Sequence, residues 1–286
     1  TPQSGGAWSG PGGAPNPGTV DPANAVPGQY TYTVQGNASC PDAQAVLTIS
    51  ISAAPDAGAD GALNVCSSSP SVSLFAALNG TPQGGGTWTD PGGNPFTGQL
   101  MPSNGQPGNY LYVVQGAPPC PSASSIVSVS ITEAPDAGGD SAAALCNSGP
   151  VVNMVGLLAG SPDPNGTWTG PQGDPSPGTF DPAASMPGVY HYEVPAVSVC
   201  PSDTSNLDLS VSPSAHAGGD GDTTVCANGS PFSLATLIVG PHDPGGVWTG
   251  PGGIAGNGSF DPGNSTAGTW SYTVTPPAPC PQDVAA

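Results

Sequence analysis

Polar and apolar residues alternate in a stretch that recurs along the chain. Leu47, Ile49 and Ile51 fall on one face, as do Val127, Val129, Ile131 and Leu207, Leu209, Val211, while Thr48, Ser50 and Ser52 fall on the other. A period of two with one apolar face predicts a half-buried strand of an antiparallel sheet. A second alternating stretch precedes it: Tyr30, Tyr32, Val34, then Tyr110, Tyr112, Val114, then Tyr190, Tyr192, Val194, and finally Trp270, Tyr272, Val274. A third holds Val72, Leu74 and Leu78, matched by Val152, Met154, Leu158 and by Phe232, Leu234, Ile238. Alternation fails towards Leu78, so this strand is expected to run into a helical turn. Between the third and second stretches lies a tryptophan in a glycine-rich phrase whose Gly/Pro tail reads as a turn.

That phrase sets the period. Trp8, Trp88, Trp168 and Trp248 are spaced by 80 residues each time, so the chain is a tandem array. The pattern predicts six or seven short strands per unit. The expected fold class is therefore all-β, a tandem array of immunoglobulin-like β-sandwich domains with an 80-residue repeat. A β-solenoid fits less well, because the period far exceeds a typical coil. The expected domains are 1–53 (the C-terminal part of a first repeat), 54–133, 134–213 and 214–286, the last lacking the end of its closing strand. The chain starts within a repeat, and this reads as a window from a longer repetitive polypeptide. The tryptophans, with Tyr32, Tyr112, Tyr192 and Tyr272, are expected to be core residues rather than a sugar-stacking surface. Trp88, Trp168 and Trp248 in particular should be largely buried.

Composition narrows the function. The chain has 44 glycines and 38 prolines, no lysine or arginine, and 19 acidic residues, for a formal charge of −19. With no cation to neutralise phosphates, nucleic acid is excluded as a partner and anionic membranes are disfavoured. No run of apolar residues is long enough to span a bilayer as a helix. No lysine also means no Lys–Asn isopeptide cross-link and no trypsin site.

The seven cysteines, at 40, 66, 120, 146, 200, 226 and 280, are separated by gaps that alternate between 26 and 54. Two pairings respect the repeat. The within-unit scheme, Cys66–Cys120, Cys146–Cys200 and Cys226–Cys280, leaves Cys40 to pair upstream of the window. The junctional scheme joins Cys40–Cys66, Cys120–Cys146 and Cys200–Cys226. The within-unit scheme is preferred, because closing such a loop stabilises a small domain by about 4 kcal/mol. Either way the expected location is oxidising and extracellular.

Candidate chemistry is sparse. Carboxylates at the junctions, Asp56 and Asp60, Asp136 and Asp140, Asp220 and Asp222, are candidate calcium ligands, since calcium takes six to eight oxygens. The plainer reading is that they form turns. Calcium is the one candidate cofactor. In the Phe-Asp-Pro segment at Asp181 and Asp261 and the matching Val20-Asp21-Pro22, the second unit has Met101 in place of the aspartate, which marks these as turn formers and not catalytic groups. His191, His216 and His242 do not recur between units, and no enzyme activity is expected.

As an ordered set, several motifs carry a resemblance across the whole chain. They are Pro-Asp-Ala-Gly-x-Asp at 55–60 and 135–140, Val65-Cys66, Gly-Gly-Thr-Trp at 85–88, Gly-Thr-Phe-Asp-Pro at 178–182, Pro-Gly-x-Tyr-x-Tyr-x-Val at 27–34, and Cys-Pro before the last strand. The unit is similar to the polycystic-kidney-disease-like and immunoglobulin-like repeats of large Bacteroidota surface proteins, including gliding-motility adhesins exported by the type IX secretion system. His216 and Met101 depart from the pattern. The resemblance implies a secreted, cell-surface stalk with no enzyme, and O-glycosylation at Ser141 and Thr223. Three functions follow as expectations. The first is a stalk giving an adhesin reach and stiffness for surface adhesion or gliding, the second the body of a self-assembling extracellular fibre, the third a carbohydrate-binding module. The expected partners are neighbouring repeats of the same polypeptide and, in a fibre, other copies.

Overall fold

The computed structural model describes residues 5–286, so the first four residues of the expected 1–53 segment lie outside it. The chain divides into two compact units, Thr1–Ile131 and Thr132–Ala286. The alternating stretches form strands, and further strands, such as Ser141–Cys146, Thr167–Thr169 and Pro175–Ser176, lie outside them; no α-helix occurs among the described residues.

The third repeat, within the second unit, shows the plan in full. Its five-stranded sheet runs in spatial order Ser141–Cys146, Asp203–Ser212, Gly188–Val194, Thr167–Thr169, Pro175–Ser176. The first pair is parallel and the others antiparallel. A short antiparallel ribbon, Val152–Asn153 with Thr179–Phe180, supplies the other layer. It runs into the expected turn of helix, a 3-10 segment at Met154–Leu157. Met154 and Phe180 from the ribbon share one core with Tyr190, Tyr192, Leu207 and Leu209 from the sheet. The repeat is an immunoglobulin-like β-sandwich, and the protein is a tandem array of them.

The same plan recurs in the first unit, where Gly61–Cys66, Ala123–Thr132, Gly108–Val114, Thr87–Thr89 and Pro95–Phe96 make the sheet and Val72–Ser73 pairs with Gln99–Leu100. Residues 5–53 contribute a four-stranded sheet. The fourth repeat keeps its ribbon, Phe232–Ser233 with Ser259–Phe260, and a four-stranded sheet. Residues 221–225 form no strand.

The core closes around a cross-strand aromatic pair. Trp168 stands directly opposite Tyr192, and Trp88, Trp8 and Trp248 oppose Tyr112, Tyr32 and Tyr272 in the same register. The ring centroids are 4.7–5.1 Å apart. Trp88 and Trp168 are only 7% exposed, as expected of core residues. Trp8 and Trp248 are half-buried. For Trp248 the burial falls short of the expectation. The tyrosine hydroxyl also binds the phrase before the tryptophan. It accepts from the amide of Gly166 (2.8 Å) and donates to the carbonyl of Asp163. A Cβ at Gly166 would sit 2.4 Å from the Tyr192 ring and 2.7 Å from a backbone oxygen, and Gly6, Gly86 and Gly246 are equally confined. Only glycine lets the chain pass that close.

The disulfide register corrects the expected one. Cys146 is bonded to Cys280, with a Cα–Cα distance of 4.9 Å and a sequence separation of 134. Neither Cys146–Cys200 nor Cys226–Cys280 forms. Cys120 is a free thiol, as are Cys40 and Cys226, so Cys66–Cys120 is absent too, while Cys66 and Cys200 are disulfide-bonded. The reason lies in the parallel pairing. Cys146 ends its strand level with Ser212, whereas Cys200 precedes Asp203 at the other end of the same ten-residue strand. That strand is about 30 Å long, against roughly 6 Å between the Cα atoms of a disulfide.

Gly166→Ala is expected to destabilise the third repeat by about 3 kcal/mol, the upper end for overpacking. Gly156→Ala, which meets no atom within 4 Å, is the control. Hydrogen exchange along Gly188–Val194 reads the difference, and equal protection in the two variants would contradict the account.

Candidate functional site

The junction loops hold the candidate ligands, and Asp56, Asp60, Asp136, Asp140 and Asp220 each accept a hydrogen bond from a backbone amide. In the third repeat Asp136 accepts from the amide of Gly138 (2.8 Å), closing an Asx-type turn. Gly138 takes the positive φ of +75° that this turn needs. Asp140 accepts from the amide of Asn206 in the closing strand (2.8 Å), and so anchors the loop to the sheet. Asp203 accepts from the amide of Ala137, and the buried hydroxyl of Ser205 donates to the Ala137 carbonyl. Asp56 and Asp60 act alike on Gly58 and Ile126. Asp220 accepts from Ala286, while Asp222 is exposed. His216 stands where Asp56 and Asp136 make their turns, and its amide donates to Asp243. The two carboxylates of one junction thus serve different neighbours. Among the described residues, no group of three or more His, Cys, Asp or Glu side chains comes together to hold a metal ion.

The second feature is the junction between the third and fourth repeats, inside the second unit. Ser212, the last residue of the closing strand, donates through its hydroxyl to the carbonyl of Ala278 (3.0 Å). Its own carbonyl accepts from the amide of Asn147 and lies 3.3 Å from the sulfur of Cys280. The Asn147 side chain in turn accepts from the amide of Ser214. The disulfide therefore sits within a ring of short polar contacts drawn from both repeats. The sulfurs of Cys120 and Cys200 lie in the same way against the carbonyls of Ser52 and Thr132.

Other candidates resolve into structure. Asp21 and Asp261 close turns through the amides of Ala23 and Gly263 and the side chains of Asn24 and Asn264. Those hydrogen bonds, the asparagine side chain first, hold both carboxyls below the usual aspartate range. Asp181 likewise closes a turn by accepting from the amide of Ala183. Of the expected glycan acceptors, Ser141 is half-buried and its hydroxyl donates to the Leu157 carbonyl, while Thr223 is exposed. His191 hydrogen-bonds Asn206, and His242 stands edge-on to Tyr272, so the histidines do not act together. An open groove of about 610 Å3 in the fourth repeat is lined by Phe232, Trp248, Phe260, Trp270 and the unpaired residues 222–225.

Sequence reasoning missed two recurrent devices. Asp203 and Asp283 each pin the loop at the start of their own repeat. The first tyrosine of each pair bonds back four residues, Tyr30 to Val26, Tyr110 to Gln106 and Tyr190 to Met186, as in the tyrosine corner of immunoglobulin-like sandwiches. Trp270 takes this role in the fourth repeat through its indole N–H to Thr266. The recurrence of these residues at the repeat period was the signal available.

No family model matches the chain, and no curated protein matches it. Among solved structures it is similar to the I-band fragment I67–I69 from titin, at 12% identity and TM-score 0.42, covering 72% of this chain and 87% of that one. It is similar to Sidekick-1 immunoglobulin domains 1–5, at 12% identity and TM-score 0.27, covering 98% and 71%. It is also similar to the N-terminal four Ig domains of Dscam1 isoform 6.9, at 12% identity and TM-score 0.27, covering 98% and 89%.

The hydrogen bonds closing the junctions come from the protein itself, so a chelator is expected to leave the melting temperature unchanged. A fall in EDTA that calcium restores would assign the ion to the junction aspartates.

Proposed function

We propose that the chain is a structural segment, the stalk of a large secreted cell-surface adhesin, in which the repeats give reach and stiffness and binding resides elsewhere. The bond from Cys146 to Cys280, which ties one sandwich to the next, carries this reading. A module built to bind has no need to fix its neighbour, whereas a stalk transmits position along its length. The tryptophan phrase supports it, because its indoles pack on tyrosines of their own repeat instead of offering a face to a sugar. Disulfides persist in oxidising surroundings, which supports an extracellular place. The motif resemblance to repeats of Bacteroidota gliding adhesins suggests the kind of surface, and type IX secretion as the route. No catalytic role is assigned to any residue.

The test is the behaviour of the chain in solution. Small-angle scattering and negative-stain images are expected to show single extended chains. Regular filaments of many chains would favour a fibre body instead, and a compact particle would contradict both.

A further inference from the structure

We infer that the Cys146–Cys280 bond is a load bypass: tension applied to the chain just outside it, at residues 133 and 282, crosses from one cysteine to the other and leaves the two sandwiches between them unstretched. The inference rests on the stalk reading for its purpose, but its argument is covalent. The bond closes a loop of sequence separation 134, which takes in nearly all of the third and fourth repeats. What remains outside it in this unit is residues 132–145 and 281–286.

Placement of the two cysteines in the fold makes the shortcut effective. Without the bond, force would enter the third repeat through Ser141–Cys146 and leave it through Asp203–Ser212. These strands are parallel neighbours with six paired residues. Pulling one backward and the other forward loads all of that pairing in shear. Cys146 is the last residue of the first of these strands, so with the bond in place the force leaves the sheet there. It re-enters the chain at Cys280, three residues before the final strand Asp283–Ala285. The strand left in the load path, Ser141–Cys146, is the outer one of its sheet and can peel without opening the core. A within-repeat bond from Cys146 to Cys200 would shield only 54 steps of chain and leave the junction at Ser212 to bear the pull. Bonded to the next repeat, Cys146 shields the junction as well, and the contacts of Ser212 with Asn147 and Ala278 then carry no load.

Single-molecule pulling on the full chain tests this, with handles attached through introduced azido residues at the exposed positions Glu133 and Gln282. Between those points the oxidised protein is expected to lengthen by only the short segments outside the bond, with no step of repeat size. The variant Cys146→Ser with Cys280→Ser is expected to show two unfolding steps, with a further gain of about 480 Å of contour. Treating the unsubstituted protein with dithiothreitol while it is held, already folded, should release the same length, so that poor folding of the variant cannot decide the result. Cys226→Ser removes a free thiol and should leave the oxidised trace unchanged. Repeat-sized steps in the oxidised protein would overturn the bypass. A compact chain in scattering would overturn the stalk reading and leave the bypass standing.

Discussion

Each repeat depends on one contact: a tyrosine ring lying across from a tryptophan on the neighbouring strand, over a glycine with no side chain to separate them. The Trp168–Tyr192 pair joins the short tryptophan strand to the longest hairpin of the repeat. The Tyr192 hydroxyl, caught between the Gly166 amide and the Asp163 carbonyl, fixes how the preceding loop enters the sheet. Pairs of this kind add about 0.5–1.5 kcal/mol beyond the burial of their surface. Their larger effect is to set register. Since side chains alternate between faces, a slip of one residue would turn Tyr190 and Tyr192 out of the core together.

Much of this was legible in the sequence, because alternation and recurrence are local. The Tyr-x-Tyr-x-Val strand, the closing strand through Leu207 and Leu209, the helical turn after Val152, and the turn role of Asp181 all follow from residue order alone. What was not legible depends on the direction in which strands lie beside each other. Cysteine spacing offers gaps of 26 and 54, and both simple pairings use one of them. The observed separation of 134 is the sum of one repeat and the longer gap. It follows only once the first strand of the sandwich is known to run parallel to the last, which sends Cys146 to one end of the repeat and Cys200 to the other. The junction aspartates were misleading for a related reason. Two carboxylates close in sequence suggest a shared ligand, but the fold turns Asp136 towards its own turn and Asp140 towards the closing strand.

The aromatic pair consumes the most conspicuous motif inside each sandwich, and the turn aspartates are consumed in closing loops. Chemistry that reaches past a single repeat is concentrated at the ends of the closing strand, in Ser212, Asn147 and the cysteines. An array built this way is specified by how its repeats are joined.

That claim is tested most directly by mapping the disulfides of the intact, non-reduced protein with a protease other than trypsin and mass spectrometry. A cross-linked pair of peptides containing Cys146 and Cys280 is the predicted result. A Cys146–Cys200 or Cys120–Cys146 pair would contradict it, returning the cysteines to a within-repeat or adjacent-junction scheme.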